Sequence, residues 1–507
     1  MLIYGGFMSD LNRGKTFFTD KQNFFAALKT HDKTLQFVKG KQYDYVAKNK
    51  SFIETEFQQL KTILEKQKSD SQAHWLYCYA CCMMLQKYYT IYEKEEEAKR
   101  YLKARREMLS RLQLSAEETE RLNQEIDEEM KNLASQPVTT TATRQLLGKT
   151  NLQRLVFTFS RLTIRQTLQL AKDLNWLESL DNLLGTHTDV NNMTAILDGA
   201  GVYFNLFSVG LFASRFAINI AMIAKHTFAP NGEEAKLSRK ERFLKELYDR
   251  HYYLLNDLAW GVVNLLCNYN QLFDLSSAFA NWLTAGFLLF DLSLLLVEFY
   301  LAEQEYNKQK GQYQTELASY RALIDNTETT AEDKRRYAEH CQIIERQLVE
   351  LDIQRQNKIG AIWCDIAAAI LLATGFTAAL IFAAPAVIIA SYFVCILASA
   401  TYLSDSAFGK YQEKRFIVQQ QEQAHLDAKI ATQEMQAARN DFILSMVKYT
   451  TVPIALVVAF TICWPAAIVL TAAYLGLFDK VASKVMDAFS ANKSTNEIEE
   501  KAALCCA

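Results

Sequence analysis

AIWCDIAAAILLATGFTAALIFAAPAVIIASYFVCILASATYL, residues 361–403, is the stretch on which the fold turns. Asp365 is its one charged residue, and the next along the chain is Asp405. About 20 apolar residues, each rising about 1.5 Å, cross the roughly 30 Å of bilayer hydrocarbon. The run is about twice that length, so it reads as two spans, 361–383 and 386–404, folded back at Ala383-Ala384-Pro385. Proline lacks an N–H and moves its predecessor out of helical geometry, which suits a turn. The expected element is a membrane hairpin.

The rest of the composition agrees with a helical membrane chain. It has 507 residues, of which 5 are proline and 17 glycine, and its net charge is -2. So few breakers among long runs of Glu, Lys, Gln, Leu and Ala predict an all-α, polytopic protein with helical-hairpin, short coiled-coil segments outside the membrane. A polyanion partner needs a concentrated basic face, so nucleic acid is not expected. Ten cysteines show no framework spacing, and Cys267, Cys364, Cys395 and Cys463 lie in apolar runs as small hydrophobes. Nothing points to an oxidising compartment. The opening MLIYGGFMSD lacks the basic lead of a secretory signal, and Leu2 stands where myristoylation requires glycine.

Residues 1–134 read as a soluble helical domain. Within it Trp75, Tyr79, Cys82, Leu85 and Tyr89 form one apolar stripe at helical spacing. Ser115 followed by Glu118 fits a capping box. SQPVTTTAT places a linker at 135–150, and 151–194 continues as amphipathic helices.

A membrane region follows over 195–300, with expected spans at 199–224, 253–270 (weakly apolar) and 275–297. Residues 301–358 predict an antiparallel helical hairpin. Tyr306, Tyr313, Leu317, Tyr320 and Ile324 face Tyr337, Cys341, Ile344, Leu348 and Leu351 across a turn at 325–330. After the hairpin at 361–404 come a polar helix (405–448), a transmembrane helix (449–478) kinked by Pro453 and Pro465, and a tail (479–507). The three polar helices are expected to bundle on one membrane face. Lys and Arg are absent between Arg250 and Lys308, between Lys358 and Lys410, and between Lys448 and Lys480. Short basic loops stay cytoplasmic, so two hairpins put all three basic segments on one side.

Candidate chemistry is sparse. Arg215 and Asp257 are ionisable groups at expected membrane depth, where an unpaired charge costs several kcal/mol. They read as an interhelical polar pair or as part of an ion path, and the plainer alternative is that their segments are buried in protein. His74, Cys78 and Cys81 share one helical face that suits a thiophilic metal, but a fourth ligand is missing and core packing is the plainer reading. Gly148-Lys149-Thr150 lacks the leading glycine of a phosphate-binding loop, since Thr143 stands there. No catalytic motif occurs, so no catalytic, cofactor or metal residue is expected and the chain does not read as an enzyme. Leu504 excludes a four-residue prenylation box, while Cys505 and Cys506 remain candidates for lipidation.

The tail Asn496-Glu497-Ile498-Glu499-Glu500-Lys501 resembles the glutamate-containing C-terminal signal of type IV-secreted effectors of Legionella and related intracellular bacteria. WGVVNLLCNYNQLFDLSSAFANWLTAGFLLFDLSLLLVEF (260–299), with the polar hairpin after it, resembles uncharacterised coiled-coil membrane proteins of those bacteria over roughly residues 195–450. The resemblance implies that Glu497, Glu499 and Glu500 belong to an export signal, and it brings no catalytic residues. The function expected is an integral membrane scaffold, secreted and acting at a host membrane through helical contacts with host or self partners. The alternatives are a small-solute or ion transporter using the weak spans, and an inner-membrane structural protein.

Overall fold

The computed structural model describes residues 17–26, 31–41, 43–66, 71–92, 94–134, 140–184, 189–230, 232–423 and 428–462. Among them every regular element is helical. Helix α1 covers 17–26. The others are α2 (His31–Gly40), α3 (Tyr43–Lys66), α4 (Gln72–Ile91), α5 (Glu95–Leu109), α6 (Ala116–Ala134), α7 (Thr140–Asp173) and α8 (Trp176–Leu184). They continue as α9 (Val190–Phe228), α10 (Arg239–Asn268), α11 (Ser277–Asp325), α12 (Ala331–Ile381), α13 (Pro385–Tyr402), α14 (Asp405–Gln423) and α15 (Lys429–Ile462). The all-α expectation holds. The chain forms two compact units, each interleaved from three segments: Met1–Leu147, Ser214–Asp257 and Phe299–Gln356, and then Gly148–Ala213, Leu258–Glu298 and Asn357–Ala507.

In the first unit α4 is the hub, packed by α2, α3 and α5. The sequence suggests one buried stripe on it, but Trp75, Leu76, Tyr77, Cys78, Tyr79, Ala80 and Cys81 are all buried. A helix apolar on every side has to sit at the centre of a bundle. Helices α11 and α12 run antiparallel in this unit, with Arg355–Glu303 at 2.6 Å, Lys310–Asp352 at 3.2 Å and Arg321–Glu345 at 2.6 Å. Thr330 caps α12 by accepting the Asp333 N–H at 3.2 Å, and Ser115 caps α6 through Glu118 in the same way. The apolar seam of this hairpin is not an open docking face. Tyr313, Leu317, Tyr320, Cys341, Ile344 and Leu351 share one core with Phe17, Phe52, Ile53 and α4. Helices α1–α4 cover that seam because an amphipathic helix is stable only when its apolar face is buried.

In the second unit α12 and α13 form the hairpin read at 361–404. Phe382–Ala384 is its turn, with Ala384 extended as the N-cap and Pro385 at the first helical turn. Cys364 faces Thr401 and Cys395 faces Leu372, which makes the pair antiparallel. Gly375 lets the two helices approach, since a Cβ there would stand 2.9 Å from the Ser391 carbonyl oxygen. Helix α7 joins this core through Val156 and Phe159.

Four helices among the described residues are long and apolar enough to cross a membrane: α9, α11, α12 and α13. The 199–224 and 275–297 runs and both arms of 361–404 fall in these helices. The 253–270 run is the end of α10, which is not among them. Outward side chains such as Val202, Leu206, Leu289 and Leu296 are exposed, as a lipid-facing surface requires.

Other expectations need correction. Residues 140–150 of the expected linker are helical and open α7, because Arg144 to Leu147 are good helix formers. The rest of it, 135–139, lies outside the described residues. The polar helix over 405–448 is two antiparallel helices, α14 and α15, with Lys414–Glu434 at 2.7 Å and Phe408–Phe442 ring centroids at 5.2 Å. They pair with each other in the second unit. Helix α15 carries Pro453 within it and continues into the expected 449–478 span, of which 463–478 lies outside the described residues.

Candidate functional site: a neutralised polar chain on two antiparallel helices

Helices α9 and α10 run antiparallel, joined through a 3-10 turn at Gly232–Lys236. Ser238 and Glu241 form a full capping box for α10: each backbone N–H is accepted by the other's side chain, at 2.9 and 3.2 Å. That pairing fixes where α10 starts, and therefore which of its residues face α9.

Arg215 on α9 and Asp257 on α10 meet at 2.7 Å, and the Asp257 side chain is fully buried. Both belong to the first unit. Asn219 donates its amide to the other Asp257 oxygen at 3.1 Å and accepts from Arg250 at 3.4 Å. Arg250 is held by Glu246 at 3.0 Å, and Glu246 accepts the Tyr92 hydroxyl at 2.5 Å. The two cations and two carboxylates of this chain cancel. In a low-dielectric interior a buried charge needs a counter-ion, and here each has one.

Beside this chain Lys245 sits over three tyrosine rings, those of Tyr43, Tyr88 and Tyr92, at 4.8–5.2 Å. It donates to the Tyr43 hydroxyl at 2.9 Å. Burial lowers its affinity for a proton below that of an ordinary lysine. Closer to the turn, His226 stacks on Tyr92 at 4.6 Å and contacts Glu234 at 3.0 Å.

A second polar nest lies within the N-terminal bundle. Lys21 on α1 reaches Glu56 on α3 at 2.8 Å and Glu316 on α11 at 3.1 Å. Tyr313 and Gln347 donate to Glu56 at 2.8 and 2.9 Å. Burial pushes Glu316 up to about 7, with Lys21 opposing and Glu56 adding to the rise. Burial would lower Lys21, but the two carboxylates outweigh it and hold the ammonium charged. A small cavity is lined by Lys21, Glu56, His74, Glu316, His340 and Gln347.

The structure thus joins Arg215 to Asp257. His74, Cys78 and Cys81 lie in the apolar core, where burial pushes both thiols well up and away from the thiolate a metal needs. Gly148, Lys149 and Thr150 are inside helix α7. Glu497, Glu499, Glu500, Cys505 and Cys506 lie outside the described residues. Sequence reasoning missed the Lys21 nest, because Glu316 is 295 positions away and no local spacing marks it. The Ser238-Arg239-Lys240-Glu241 box was a readable local signal for the start of α10.

No protein-family model, curated protein or solved structure matches this chain. The functional reading therefore rests on the geometry of its own residues.

Proposed function

We propose that this chain is a non-catalytic integral-membrane scaffold, anchored by apolar helices and presenting a preassembled helical body to protein partners. The observation that carries the reading is the Arg215–Asp257 pair. It is closed at 2.7 Å, with the Asp257 carboxylate fully buried. A solute path keeps its charged groups hydrated and free to change partners, whereas a scaffold buries them as interhelical locks. Because the hairpin seam is already covered within the chain, partners meet its outer polar faces. Acidic α6, which exposes Glu117, Glu120, Asp127 and Glu128, is the foremost of these and suits a basic partner surface.

The test is thiol accessibility in a cysteine-free background. Cysteines replacing the fully buried Ser208 and Asn219 should resist a membrane-impermeant reagent from either side and react only after unfolding. Exposed reporters replacing Ser238 and Asn326, both in the first unit, should label from one common side. Ready labelling at 208 and 219 would restore the transporter reading.

We further propose, on the resemblance of its tail, that the protein is exported into a host cell with Glu497, Glu499 and Glu500 as part of the signal. Deleting residues 479–507 should abolish translocation of a fused reporter and leave membrane insertion intact. Translocation that survives the deletion would rule out the tail as the signal, and a full-length fusion that is never translocated points to the inner-membrane structural protein instead.

A further inference from the structure

We propose that His226, Glu234 and Glu246 form a site for a divalent transition-metal ion, which pins the turn between α9 and α10. One ligand atom from each lies within 4.8 Å of the others, and all three residues are buried. An ion bound by imidazole nitrogen and carboxylate oxygen at about 2.0–2.2 Å spaces its ligand atoms by roughly 3–4.4 Å. The His226 Nδ1 already stands 3.1 and 3.0 Å from the two Glu234 oxygens, so only Glu246 has to close in.

The ligand atoms are also sheltered and held in place. The His226 side chain is 1% exposed, so an ion on its Nδ1 would be shielded from water. Tyr92 donates to one Glu246 oxygen at 2.5 Å and Arg250 to the other at 3.0 Å, which orients that carboxylate. The Tyr92 ring fixes the imidazole plane by stacking.

The chemistry narrows the ion. One imidazole with two carboxylates suits Zn²⁺ or Mn²⁺ better than the all-oxygen preference of Ca²⁺ or the sulfur preference of Cu⁺. Arg250 and Lys245 flank the carboxylates and temper the affinity. The three ligands come from the end of α9, the 3-10 turn and α10. Bound metal would thus tie three successive elements together and, through Tyr92, the end of α4.

The test uses the full chain in detergent micelles, stripped with a chelator and titrated with Co²⁺ as the optical probe. The expected result is about one Co²⁺ per chain, with visible d–d bands that Zn²⁺ displaces and a thermal midpoint that rises with Zn²⁺. His226→Gln and Glu234→Gln should each weaken Co²⁺ binding at least about tenfold. Absence of Co²⁺ binding, or binding unchanged in both variants, would overturn the proposal. If either variant fails to fold, X-ray absorption of the wild-type Zn²⁺ form decides. A nitrogen and oxygen shell with an imidazole signature supports the site, and sulfur in the shell assigns the ion to cysteines and refutes it.

Discussion

His74 and His340 meet in the core of the first unit, Nε2 of one 3.0 Å from Nδ1 of the other, across 266 positions of sequence. They join α4, the centre of the bundle, to α12 of the polar hairpin. Phe25 packs on both rings, with centroids at 5.0 and 4.3 Å.

This contact makes stability fall in acid. Burial drives His74 well below its ordinary 6.5, with His340 and Lys21 adding. Burial also drives His340 down to about 4, with Lys21 and Arg336 adding. Both rings are therefore neutral when folded, and unfolding lets them bind protons below about pH 6.5. Glu316 works in the opposite sense: raised to about 7 from 4.5, it holds a proton when folded that the unfolded chain gives up. Two histidines against one carboxylate leave about one proton in favour of the unfolded state between pH 6.5 and 4.5, or about 1.4 kcal/mol per pH unit. Below that range Glu316 no longer offsets them, and the loss steepens until His340 titrates. Urea midpoints measured from pH 7.5 to 4.5 should be flat near neutrality and then fall. His340→Gln should flatten the fall, and an unchanged slope in that variant would sink the account.

The Arg215–Asp257 pair predicts a non-additive pair of mutations. Asp257→Leu leaves a guanidinium without its counter-ion and should cost about 3–5 kcal/mol. Arg215→Met alone should cost a similar amount. The double variant should recover most of the loss, because apolar replacement removes both desolvation penalties. Thermal unfolding in micelles measures this, and strictly additive losses would mean that the two residues do not act as a pair.

Gly375 predicts a local steric effect. Gly375→Ala places a methyl 2.9 Å from the Ser391 carbonyl oxygen and 3.1 Å from Cys395 Sγ and Val394. The helices must part, at a cost of about 1–3 kcal/mol. Gly210→Ala, where a Cβ meets nothing within 4 Å, is the control and should be neutral or slightly stabilising. Equal effects at the two sites would show that the α12–α13 approach is not tight.

Sequence alone determined that the chain is helical and that it turns at Ala384–Pro385. It also located the apolar runs and brought Arg215 and Asp257 forward as the ionisable groups to watch. Each of these follows from local physics: a 3.6-residue period, a proline without an N–H, and a charge in an apolar run. The tertiary structure alone decided what covers each face. It placed Lys21 between Glu56 and Glu316, set His74 against His340, and spent the hairpin seam on the chain's own N-terminal helices. It also gathered His226, Glu234 and Glu246 around one turn. An amphipathic helix specifies only that its apolar side must be buried, and many surfaces satisfy that demand equally. Which one does so is settled by packing between segments far apart in sequence, and no local spacing encodes it.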